Sequence, residues 1–141
     1  MLYSFPSPYS VNGDLVFDKA GNLYGTSITG GLSNGNVCLG TCGIVFELSP
    51  GSNGSWTETT IYYFCSGGST CPDGAGPLAG LTIDSLGNLY GTTQYGGNAA
   101  CEFGCGVVFE LSPPSVQGGA WSYTNLHTFC LGDTCADGLN P

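Results

Sequence analysis

Eight cysteines carry most of the chemistry that this chain could perform, and they come as close pairs: Cys38/Cys42, Cys65/Cys71, Cys101/Cys105 and Cys130/Cys135. Paired, even-numbered cysteines point to disulfides and an oxidising compartment. A metal site and free thiols stay open beside that reading. Zinc ligands sit as Cys-x2–4-Cys, and four thiolates could make a tetrahedral site. One pair, however, has five intervening residues in its first copy and four in its second, a drift that metal knuckles rarely show. The other chemical candidates are few. His127 is the single histidine and lies in an expected strand with no nucleophile beside it, so no triad is legible. Glu47 and Glu110 could be imagined as a glycosidase acid and base. They occupy equivalent places in a repeat, however, and such a pair needs distinct environments. No enzyme activity and no cofactor are expected.

The elements that position these residues come twice. Asp18-Lys19-Ala20-Gly21-Asn22-Leu23-Tyr24-Gly25-Thr26 returns as Asp84-Ser85-Leu86-Gly87-Asn88-Leu89-Tyr90-Gly91-Thr92. Val45-Phe46-Glu47-Leu48-Ser49-Pro50 returns from Val108 to Pro113, Trp56 as Trp121, Phe64-Cys65 as Phe129-Cys130, and Asp73-Gly74 as Asp137-Gly138. A period of about 65 residues marks a repeat, each copy a supersecondary unit that needs neighbours to bury its faces. No window has helical periodicity. Short alternating runs bounded by turn residues predict four strands per copy: 14–18, 22–27, 43–48 and 56–64, then 80–84, 89–93, 106–111 and 121–129. Asp18 and Asp84 should accept backbone N–H groups across a turn where Gly21 and Gly87 supply positive φ.

The fold class expected is therefore all-β: tandem four-stranded antiparallel, propeller-like blades, two repeats plus an N-terminal orphan strand. The divisions are 1–13 (strand and linker from a preceding blade), 14–79 and 80–141. The loops after the second and fourth strands emerge at one end, so all cysteine pairs should crowd there. Bridges local to each loop are the leading expectation, and cross-bridges between loops the second. A bridge closing about five residues contributes about 2 kcal/mol.

Taken together, Gly-Asn-Leu-Tyr-Gly-Thr, Gly-Val-Val-Phe-Glu-Leu-Ser-Pro, the Trp, the Leu-x-x-Phe strand and Asp-Gly-x-x-Pro-x-Ala-Gly-Leu resemble the GloVer-type tandem repeat of bacterial surface proteins. The resemblance spans nearly the whole chain. It implies exported, often anchored proteins with propeller-like repeats and no assigned chemistry. The cysteine pairs depart from that family's pattern.

Composition limits the partners. Net charge is −9, with one Lys, no Arg and 8% charged residues, against roughly 25% in ordinary domains. Nucleic acid is excluded for want of cations, and an anionic membrane surface is disfavoured. No stretch approaches the roughly 20 apolar residues of a membrane helix. An extracellular or cell-surface location is expected, with any signal or anchor outside this stretch. The leading function is a structural module that assembles with copies of itself head to tail. The assembly strand would be Leu2, Tyr3, Ser4 and Phe5, added to a neighbour's sheet edge. The alternative is a lectin-like module whose ligand face carries Tyr95, Asn98, Glu102, Phe103, Asp73, Asp133 and Asp137, since aromatic faces stack on sugars. Asn53-Gly54-Ser55 is a glycosylation sequon in an expected loop.

Overall fold

The computed structural model describes residues 3–141 apart from Pro8, Asn34, Asn36, Leu39, Ala99, Ala100, Gln117, 132–134 and Leu139. Leu2 of the expected assembly strand and Asp133 of the expected ligand face thus lie outside the described residues.

Two antiparallel four-stranded sheets form, each a meander in chain order. The first contains β1 (Val11–Phe17), β2 (Leu23–Ser27), β3 (Ile44–Pro50) and β4 (Trp56–Tyr63). The second contains β5 (Thr82–Ile83), β6 (Leu89–Thr93), β7 (Val107–Ser112) and β8 (Ser122–Thr128). Registers repeat as well: Tyr24 faces Glu47 across β2–β3, and Tyr90 faces Glu110 across β6–β7. Both sheets carry an irregularity at the same place, between Val45/Phe46 and between Val108/Phe109. The sheets do not close a ring.

The β1–β2 turn shows how sequence becomes structure. Asp18 Oδ1 accepts the N–H groups of Ala20 (2.8 Å) and Asn22 (2.9 Å), and Gly21 takes φ +90°. Asp84 does the same with Leu86 (2.8 Å) and Asn88 (2.9 Å), with Gly87 also at φ +90°. The carboxylate satisfies donors that the tight turn leaves without strand partners, and glycine removes the Cβ penalty of the left-handed region.

Alternation sorts each sheet into two faces. On the first, Tyr24, Val45 and Tyr62 point toward the second sheet, while Leu23, Ile44, Phe46 and Leu48 point away. The toward-face joins Leu81, Leu89, Phe109 and Leu111 in one core. Phe64 edges onto Phe109 at 5.1 Å between ring centroids, Tyr62 stacks on Tyr123 at 4.8 Å, and Trp121 edges onto Tyr24 at 5.7 Å. The first strands run close. A Cβ on Gly13 would collide with the backbone of Ala79 and Gly80, so only glycine allows that approach.

Three expectations need correction. No strand forms among the described residues 3–10, so the opening segment is no strand of this chain's own sheets. Tyr3 and Phe5 instead fold back, with Tyr9, onto the outward face of their own first sheet. Phe5 edges onto Phe46 at 4.7 Å, because burying that aromatic on an apolar face outweighs leaving it on a free sheet edge. β1 begins at Val11, inside the segment assigned to a preceding blade. The first strand of the second repeat shrinks to Thr82–Ile83, since the backbone before it packs against Gly13 and Asp14.

Phe64 is fully buried between the sheets and Phe129, its repeat equivalent, only half-buried. In urea unfolding followed by tryptophan fluorescence, Phe64→Ala should cost about 3–5 kcal/mol. Phe129→Ala should cost about 1 kcal/mol.

Candidate functional site

The loops after β2 and β4 meet at one end of the first sheet, and those after β6 and β8 at the same end of the second. All four cysteine pairs are bonded locally: Cys38–Cys42, Cys65–Cys71, Cys101–Cys105 and Cys130–Cys135. The cross-bridged alternative is not adopted, although the sulfurs of Cys38, Cys42, Cys65 and Cys71 all lie within 4.8 Å of one another. Zinc requires thiolates, and a bonded sulfur is none. The metal reading and the observed pairing are therefore exclusive states of one cluster. Four disulfides indicate an oxidising, non-cytosolic environment. No helix among the described residues is long and apolar enough to cross a membrane.

An aspartate holds each β4-type loop. Asp73, 7% exposed, accepts from the Tyr62 hydroxyl (2.9 Å), the Ser66 N–H (2.9 Å) and hydroxyl (2.9 Å), and the Gly67 N–H (3.4 Å). Asp137 takes the Cys130 N–H at 3.1 Å, and its other oxygen lies 2.9 Å from His127 Nε2. His127 thus occupies the place of Tyr62 and serves the same carboxylate. Of the expected ligand-face aspartates, Asp73 is buried among its own donors, while Asp137 holds its loop and stays exposed.

The remaining ligand-face residues do gather. Tyr95 and Phe103, 6.2 Å apart between centroids, line a cleft of about 220 Å³ with Ile28, Val37 and Thr41. Asn98, Glu102 and Phe103 line a second hollow beside it, with Val37 shared by both. Asn98 is partly committed, as its side-chain amide donates to the Cys130 carbonyl. Asn53 lies exposed in the turn before β4, at φ 62°. Glu47 and Glu110 each accept a hydroxyl two residues on, from Ser49 (2.7 Å) and Ser112 (2.8 Å), one local task performed twice.

A feature that the sequence pattern did not single out is the unequal burial of equivalent residues. Tyr24 is 5% and Val45 0% exposed, covered by the second sheet. Tyr90 and Val108, on the matching face of the second sheet, are half-buried, and Leu126 is 48% exposed. Strand alternation fixes which residues share that face, but not that it has no cover. Comparison with family models, with curated proteins and with solved structures returns no match for the chain.

Burial and neighbouring charges shift several groups. Burial, then the Glu47 and Asp18 charges, push the Tyr24 hydroxyl far above its ordinary pKa, so it donates at any working pH. Partial burial would raise the Asp18 carboxyl, but hydrogen bonds from the Asn22 side chain and backbone, Tyr24 and Ala20 outweigh it and hold the pKa below 3.8. Asp84 is lowered in the same way. A depressed folded-state pKa contributes stability above the unfolded value, which is lost as pH falls through the folded one. Asp18→Asn should therefore destabilise the protein at neutral pH. The gap to the parent should narrow progressively below about pH 4, read as melting temperature against pH.

Proposed function

We propose that the chain is a structural, self-assembling repeat module of the cell exterior. Its sheets are propeller-blade-like units that continue from copy to copy. The observation that carries this reading is the half-exposed face of the second sheet: Tyr90, Val108 and Leu126 lack the cover that their equivalents receive. Apolar repeat faces are normally buried by the next unit. With only 8% charged residues, few charges need desolvating on contact, and the disulfides suit an exported scaffold. The close approach of β1 to the start of β5, with the later strands farther out, supports blades arranged about a common axis. The motif resemblance described above agrees with an exported repeat protein.

The Tyr95–Phe103 cleft favours a second reading, a glycan-binding module, since paired aromatics beside Glu102 suit a sugar ring. A glycan array with the parent and Tyr95→Ala tests it. No hit, or hits that survive the substitution, removes it.

For assembly, sedimentation velocity across a concentration series is the test. We expect association that strengthens with added salt, because the copies share a net charge of −9. Val108→Lys should abolish it while changing monomer stability by no more than about 1 kcal/mol. A chain that stays monomeric at every concentration and salt level removes the proposal.

A further inference from the structure

The two sheets supply a worked example of how one unit covers the next. On the second sheet, Phe109 receives Phe64 (5.1 Å) and Tyr123 receives Tyr62 (4.8 Å), both from the end of the preceding unit. On the first sheet the same places belong to Phe46 and Glu58. Phe46 is covered by Phe5 (4.7 Å), with Tyr3 against Phe5 at 4.9 Å. By sequence, Tyr3 and Phe5 are the equivalents of Tyr62 and Phe64. Phe5 therefore stands on Phe46 as Phe64 stands on Phe109. Trp56 remains half-buried, without the tyrosine that Trp121 meets in Tyr24.

At the other end of the chain the complementary set is present. Tyr90, Val108, His127 and Phe129 are the equivalents of Tyr24, Val45, Tyr62 and Phe64, and they form the uncovered face. We infer that the outward face of the first sheet is the docking surface for the uncovered face of a second copy, and that Tyr3, Phe5 and Tyr9 form a strap holding its place until that copy displaces them. The inference rests on the self-assembly reading and specifies its partner surface. The occupant follows from continuity with the interface already made inside the chain. Where Tyr62 stacks on Tyr123, the continued interface sets the half-exposed His127 ring, hydrogen-bonded to Asp137, beside Glu58 of the second copy. Trp56 of that copy would meet Tyr90 as Trp121 meets Tyr24. Phe129 and the strap's Phe5 compete for one place on Phe46, so the strap opposes association.

The test compares the parent, a chain lacking residues 1–9, and Phe5→Ala, each with its disulfides formed. Sedimentation velocity gives the association constant, and circular dichroism confirms the sheets. Phe5→Ala keeps the question answerable if the shortened chain does not fold. Removal of the strap should strengthen association at least tenfold, and a synthetic peptide of residues 1–9 should reverse this. Leu126→Lys should abolish association of the shortened chain. Unchanged or weaker association in both variants, with the parent still assembling, overturns the strap and leaves self-assembly standing. Parent and variants all monomeric overturns both.

Discussion

Face-to-face burial of one sheet on the next is the constraint on which this structure depends. A four-stranded meander has two apolar faces and no means of covering either alone. Phe64 resting on Phe109, flanked by Tyr62 on Tyr123 and Trp121 on Tyr24, is what joins the sheets into one core. Burying one such phenylalanine contributes about 1.5–3 kcal/mol. The aromatic pairs add about 0.5–1.5 kcal/mol each beyond their area. The packing is directional. The first unit sends the end of its last strand onto β7 and β8 of the second.

That direction explains why the two ends of the molecule differ. On the outward face of the first sheet, Phe5 of the opening segment rests on Phe46. The matching face of the second sheet, with Tyr90 and Val108, is half-exposed. The proposed self-assembly and the proposed strap both rest on that difference in cover.

The loop end obeys different physics. It has many glycines and long connections, and its buried cystines Cys38–Cys42 and Cys65–Cys71 extend the core into the loops. Asp73 and Asp137 gather the donors of their loops, and the disulfides close short segments that would otherwise gain entropy on opening. Among the described residues no buried side-chain polar atom lacks a partner. The loops therefore offer a surface on which Tyr95 and Phe103 of the second repeat form an aromatic cleft with Ile28, Val37 and Thr41 of the first.

Much of this was legible in the residues. The period of the repeat, the alternation within strands, the Asp–Gly turns and the local cysteine pairs are governed by neighbours a few positions apart, so the sequence by itself determined the sheets, their order and their staples. Asp73 was misread as a ligand residue because a carboxylate followed by glycine looks the same whether its oxygens face solvent or four donors of its own loop. Tyr3 and Phe5 were misread as a strand because their likeness to Tyr62 and Phe64 records what they pack against, not whether a partner strand is there to pair with them. Which faces are covered, and by what, was decided only by the tertiary structure. Burial of a sheet face depends on residues a whole repeat away, and identical motifs carry no mark of whether a neighbour stands on them.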